Sequence, residues 1–300
     1  MIWLPATFLA GLFQAWRTAV QQRVRAELSV NAAGLVRYLF GFPVGCLLLA
    51  SYLLFTGTSL PGQHDGFWFY AAMGGVAQIL GTNLLILAFG FRNYVVGSAY
   101  AKTEAVQGAI LAMILLGEHL SVLTWIGIGV GVVGVVGVVV LSAGGQRPRL
   151  SDLAQPAALC GLGAGLLFAL TSVFIKRATL VVATSDKVLA ALVTLVAVLG
   201  LQALLQGTYV AVREREQLAR IAQSWRVSGQ VGLLAAMGSA CWFTGFATAP
   251  VALVRAVGQV EVIFTLAFGR YYLREPLARS ELTGLLTVAV GVVLALLGSF

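Results

Sequence analysis

Six ionisable residues lie inside long apolar stretches of this chain: Arg17, Arg37, Lys102, Glu104, Arg255 and Glu261. Such a group in a hydrocarbon layer costs about 2.5 kcal/mol or more, so it faces a cavity or a partner of opposite charge. Polar residues recur beside these six at helical spacing. Gln14, Arg17 and Gln21 follow i, i+3, i+7 and share one face of a helix. Gln78 and Thr82 share another, with Asn83 beside them. Tyr100, Glu104, Gln107 and Leu111 form a third stripe, with Lys102 almost opposite Glu104. Further on, Arg255 and Gln259 share one face, and Gly258, Glu261 and Thr265 share the next. Stripes of this kind can line a water-filled cavity. The chemistry on offer there is binding of a polar solute and exchange of a proton at a carboxylate. Burial disfavours an ionised carboxylate and a nearby cation restores it, so Glu104 and Glu261 suit a coupling role, with Lys102 and Arg255 as the cations. The expected substrate-binding or coupling set is Gln14, Arg17, Gln78, Asn83, Tyr100, Lys102, Glu104, Gln107, Trp242, Arg255, Gln259 and Glu261.

Structural readings compete with these. Arg17 and Arg37 lie near the ends of apolar runs, where long side chains snorkel to headgroups. Lys102 with Glu104 or Glu261 makes a structural ion pair as readily as a coupling group. Glutamine and asparagine side chains also serve as glue between helices. Trp68, Trp125 and Trp225 sit near run ends, as belt residues do. Glu118 and Glu275 fall in short turns just before apolar runs, where a carboxylate caps the helix that follows and meets its positive end. Gly127, Gly131, Gly134 and Gly137 provide a small-residue stripe for close helix packing.

Enzyme signatures do not appear. The chain has no Gly-rich phosphate loop followed by Lys and Ser or Thr, and no His-Glu-x-x-His. His64 and His119 are far apart. Cys46, Cys160 and Cys241 each stand alone in an apolar run, which argues against disulfides and against paired-cysteine metal spacing. The expectation is a non-enzyme without catalytic residues, metal or cofactor. The formal net charge of +8 comes from basic residues scattered through connections, which fits membrane-side loops better than a nucleic-acid surface.

The elements that must position these residues follow from composition. The 300 residues are 59% hydrophobic and 10% charged, with mean hydropathy +0.93. A soluble domain carries roughly 25% charged residues, so lipid must be the solvent here. A spanning helix needs about 20 apolar residues. Runs cut at polar or Pro/Gly-rich breaks predict spans near 3–22, 32–56, 67–90, 94–116, 121–143, 156–179, 185–207, 228–249, 252–273 and 279–299. Met1 to Val20 lacks a basic start and runs directly into the first span. Runs such as Ile126 to Leu141 are apolar on every face, which suits helices and not the alternating strands of a barrel. The longer connections are 57–66, 143–155 and 208–227, and the last contains Arg213-Glu214-Arg215-Glu216 and Arg220. The segment 208–227 reads as an interfacial turn or helix, and 144–155 as a linker between halves 1–143 and 156–300.

Those halves are related. At an offset of 157, Glu104 aligns with Glu261, Glu118 with Glu275, Leu120 with Leu277, Gly127 with Gly284 and Gly134 with Gly291. Two matched glutamate pairs are hard to dismiss in a chain with eight glutamates. Each half has five spans, so the second half enters the membrane from the opposite side, an inverted repeat of the kind many transporters use. The expected fold class is an all-α membrane protein of ten transmembrane helices in two inverted five-helix repeats.

The segment 89–141, with Glu104-Ala105-Val106, Leu116-Gly117-Glu118-His119-Leu120, Trp125-x-Gly127 and Gly134-Val135, resembles the fourth and fifth spans of the drug/metabolite transporter superfamily, EamA-like branch. Glu261-Val262-Ile263-Phe264, Arg274-Glu275-Pro276-Leu277 and the segment 284–291 are similar in the second half. Where that family often has Pro after the mid-span Glu, this chain has Ala105 and Val262, so no residue here demands a helix break. The resemblance implies a secondary-active transporter that moves a small organic solute, amino-acid-like or drug-like, by alternating access with proton or exchange coupling. The expected partners are that small molecule, membrane lipid and protons, in a monomer or homodimer. The expected location is the plasma membrane, the inner membrane in a bacterium. A flippase for lipid or lipid-linked substrates is the alternative, and an intramembrane enzyme a more remote one.

Charge sets the orientation. Odd-numbered connections, with the span ends beside them, carry twelve arginines: Arg23, Arg25, Arg92, Arg147, Arg149, Arg213, Arg215, Arg220, Arg226, Arg270, Arg274 and Arg279. Even-numbered connections and the termini carry Lys176, Arg177 and Lys187. The positive-inside rule then places odd loops in the cytoplasm and both termini outside. The family resemblance implies the reverse for the termini.

Overall fold

The computed structural model describes residues 2–25, 27–88, 100–142, 156–271 and 279–299. The linker 144–155, the start of the fourth span at 94–99 and Glu275 lie outside the described residues. Among those described there is no strand, and one isolated antiparallel bridge joins Gln63 to Val182. The helices are α1 (Trp3–Arg25), α2 (Val30–Thr56), α3 (Phe67–Ala88), α4 (Glu104–Leu116), α5 (Val122–Ser142), α6 (Pro156–Leu180), α7 (Lys187–Arg213), α8 (Arg215–Gln223), α9 (Trp225–Thr248), α10 (Val251–Gly258), α11 (Glu261–Tyr271) and α12 (Arg279–Leu297). All ten predicted spans therefore have a helix, and among the described residues six segments are long and apolar enough to cross a membrane.

Local chemistry fixes several ends. Ser29 caps α2 by accepting the Ala32 N–H at 3.2 Å, and Gly57 ends that helix at φ 65°, a left-handed value that favours glycine. Gly117 ends α4 in the same way at φ 68°. Asp186 caps α7 by accepting the Val188 and Leu189 N–H groups at 2.9 and 3.1 Å.

The chain divides into two compact units that do not coincide with the sequence halves. The first takes residues 1–79 and 174–249, the second 80–173 and 250–300, so each draws on both halves. In the first unit α9 packs on α1, α2 and α7, and α2 packs on α7. Gly232 of α9 lies against Phe40 and Gly41 of α2, so close that a side chain there would strike backbone. In the second unit α12 packs along α5, and α10 packs on α4, α5 and α12. The predicted glycine stripe explains the α5–α12 contact. A Cβ on Gly127 would run into the Ala295 backbone, and one on Gly134 would lie 2.6 Å from the Val288 nitrogen. Without side chains between them the two backbones approach fully, which is how helices associate where lipid offers no hydrophobic drive.

One expectation changes and two are sharpened. The ninth span is not one helix, because α10 stops at Gly258 and α11 starts at Glu261. The segment 208–227 is helical nearly throughout, with α7 running on to Arg213 before α8 begins. The Glu118 carboxylate reaches the start of α10, where it accepts the Val251 and Ala252 N–H groups at 2.9 and 3.4 Å, while at the start of α5 Ser121 accepts the Thr124 N–H at 3.1 Å.

Candidate functional site

Of the predicted set, Asn83, Tyr100, Lys102, Glu104, Gln107, Arg255, Gln259 and Glu261 belong to the second unit. Two helix interruptions organise it. Before α4 the Thr103 N–H reaches back three residues to the Tyr100 carbonyl at 3.1 Å, and the Thr103 hydroxyl donates to the same oxygen at 2.6 Å. Gln107 Nε2 then donates to Thr103 Oγ1 at 2.8 Å. Before α11 the N–H groups of Gln259, Val260, Val262 and Ile263 all reach back three residues, at 2.9 to 3.3 Å. Such tight turns replace the regular helical ladder and mark a bend or hinge. No proline is needed in either place. Each interruption leaves a glutamate as the first residue of the next helix segment, Glu104 on α4 and Glu261 on α11. Backbone N–H groups at a helix start favour a carboxylate.

The two glutamates meet cations from opposite sequence halves. Arg255 Nη1 contacts Glu104 Oε1 at 3.3 Å, and Lys102 Nζ contacts Glu261 Oε1 at 3.5 Å. Residues at equivalent repeat positions thus take different cations in a crossed arrangement. The surroundings of the pairs differ. Arg255 also donates from Nε to Ser172 Oγ at 2.8 Å and from Nη2 to the Phe168 carbonyl at 2.9 Å. Ser172 donates in turn to that carbonyl at 2.9 Å. A guanidinium with donors committed in three directions is locked. Lys102 is the more open cation, with its side chain 31% exposed against 9% for Arg255. Gly165 of α6 makes room for the first interruption, since a Cβ there would lie 3.1 Å from the Ala101 carbonyl and 3.3 Å from Gln107 Nε2.

The remaining second-unit residues contribute less. Gln259 packs its amide against Gly131 of α5, and Asn83 and Tyr100 are half-buried. The predicted stripes from Tyr100 through Glu104, from Arg255 to Gln259 and from Gly258 through Glu261 are not continuous helical faces, because each runs into an interruption.

Gln14, Arg17, Gln78 and Trp242 belong to the first unit. Trp242 Nε1 donates to Gln14 Oε1 at 3.2 Å and stacks on Phe246 with centroids 5.8 Å apart. Gln78 Oε1 accepts from Gln202 Nε2 at 2.8 Å. Arg17 is half-buried, and Arg37 is 6% exposed with its guanidinium 5.4 Å from the Tyr38 ring centre, inside the unit and not snorkelling at its edge. Gln21 is spent on structure, donating to the Ala33 carbonyl at 3.0 Å.

Sequence reasoning missed Ser172, Thr103 and Gln202. Gln202 carried a signal, since it is an amide amid apolar residues, and it is fully buried. Ser172 carried none, because a small hydroxyl in an apolar run usually bonds its own helix.

The chain matches a model of the EamA-like transporter family over residues 1–140 and again over 155–297. It matches no curated protein. A solved structure described as "Crystal structure of protein" is similar in fold, at TM-score 0.75 and 15% identity, covering 99% of this chain and 97% of that one.

Proposed function

The chain belongs to the EamA-like transporter family, and from that premise we propose that it moves a small organic metabolite by alternating access, with proton exchange at Glu261 as the coupling step. The family makes it a multi-pass membrane transporter of small solutes. The substrate class proposed is an amino-acid-like or drug-like solute. The two repeats proposed are 1–143 and 156–300, joined by 144–155.

The observation that carries the coupling is the crossed pair of ion contacts at two helix interruptions. Both carboxylates stand where a helix is already broken, so a change in their charge acts on a joint and not on a rigid rod. Their surroundings divide the labour. Removing the charge of Glu104 would take from Arg255, a buried guanidinium, its contact with that carboxylate. Glu261 instead faces Lys102, whose side chain is more exposed than that of Arg255. Glu261 is therefore proposed as the carboxylate that exchanges the proton. Within the second unit, Asn83, Tyr100, Gln107 and Gln259 are proposed to contact substrate.

The test begins with labelled water-soluble metabolites screened in proteoliposomes, followed by Glu104→Gln and Glu261→Gln measured for folding, binding and uptake against pH. Glu261→Gln should bind substrate and lose the pH dependence of uptake. Glu104→Gln should lose folded protein or binding. Normal transport by both variants across the pH range would end the carboxylate mechanism.

A further inference from the structure

We propose that α8 and the arginines flanking it form a binding surface for anionic phospholipid headgroups in the adjoining leaflet. Glu214 leaves helical geometry at φ −136° and ψ 43°, so the chain turns between α7 and α8. The start of α8 is tied down by polar contacts within the first unit. Glu214 accepts from the Ser29 hydroxyl and from Asn31 Nδ2, the latter at 2.6 Å. Gln217 Oε1 accepts the Ser29 N–H at 3.1 Å. Of the nine residues of α8, Ile221 alone is buried. The helix is therefore held by its start, one apolar anchor and a bond from Arg220 Nη1 to the Glu27 carbonyl at 3.3 Å, with most of its surface open.

That open surface is sorted. Arg215, Leu218, Ala219 and Ala222 lie at i, i+3, i+4 and i+7 and are all exposed, an apolar stripe led by an arginine. Glu216, Arg220 and Gln223 form a second exposed stripe, in which Glu216 and Arg220 at i, i+4 offset each other's charge. Arg213, Arg215 and Arg226 are also exposed, and with Arg220 they outnumber Glu214 and Glu216 by two. Trp225 is 58% exposed, with the Arg226 guanidinium 5.5 Å from its ring centre. An exposed tryptophan, an apolar stripe and an excess of guanidinium groups at the end of a spanning helix fit a headgroup layer. The ring and the stripe sit at the acyl boundary, and the arginines take phosphodiester oxygens in fork geometry.

The experiment uses the full chain in phosphatidylcholine vesicles containing equal amounts of either brominated phosphatidylglycerol or brominated phosphatidylcholine. The fluorescence component lost in Trp225→Phe reports quenching at this site. Wild type should prefer phosphatidylglycerol, and each arginine removed in Arg213→Gln/Arg215→Gln should lower that preference by up to about fivefold. Arg213→Lys/Arg215→Lys should retain most of it. Lys187→Gln, at the other end of α7, should leave it unchanged. Should the glutamine variant fail to fold, the wild-type preference must still collapse in about 1 M salt. Equal quenching by both lipids, a preference that survives the double substitution or the salt, or an equal loss in Lys187→Gln would each overturn the proposal.

Discussion

Replacing Glu118 with alanine removes the carboxylate that caps α10. The α10 helix begins after Pro250, whose side chain accepts nothing, and its first two N–H groups belong to Val251 and Ala252, both 0% exposed. Glu118 satisfies both from the turn after α4, at 2.9 and 3.4 Å. The shorter contact, a charge-assisted bond, is worth about 1.5–3 kcal/mol, and the longer one less. The negative charge at the helix start adds roughly 0.3–1 kcal/mol. Glu118→Ala should therefore cost about 2–4 kcal/mol, and Glu118→Gln, which keeps one acceptor for Val251, about 1 kcal/mol. Thermal unfolding of purified protein in one detergent should rank wild type above Glu118→Gln and Glu118→Ala last. Substrate affinity of the folded fraction should change little, since the Glu118 carboxylate is held on backbone N–H groups at the start of α10. Wild-type stability in Glu118→Ala, or full stability with lost binding in either variant, would refute the capping argument.

Two further outcomes follow from charge. A reporter fused after Phe300 should be active outside the cytoplasm and silent within it, because the twelve arginines of the odd connections place those connections inside; cytoplasmic activity would reverse the orientation. Burial raises the pKa of Asp186, but hydrogen bonds from Tyr52 and from the Leu189 and Val188 N–H groups outweigh it, so the carboxyl lies below its ordinary value. A group depressed on folding stabilises above its unfolded pKa of about 3.9, and that stability is lost as pH falls through the folded value. Wild type should therefore lose stability below about pH 4 relative to Asp186→Ala, which should melt lower at neutral pH by about 1 kcal/mol and show less of that acid dependence. Parallel pH curves for the two would show that the cap is not charge-dependent.

Membrane residence and the apolar spans were legible in the sequence because lipid imposes a one-dimensional rule. A spanning helix must be apolar for about 20 residues, and that needs no knowledge of neighbours. The two glutamate pairs at one offset were legible for a similar reason, since rare charged residues stand out in an apolar chain. Partners were not. Lys102 is two residues from Glu104 yet contacts Glu261, and Glu118 passes over the helix beside it to cap α10. Nor were the interruptions, because their usual proline is absent and they rest on tertiary contacts: Gly165 clearing space for the turn at Thr103, and Gln259 packed against Gly131. The compact units mix the sequence halves for the same reason, since glycine stripes on α5 and α12 can meet only once the chain has folded. The sequence determines which residues must leave lipid, since each pays its transfer cost alone. Which charge each one meets is decided by packing, since pairing energy depends on distances that exist only in the folded protein.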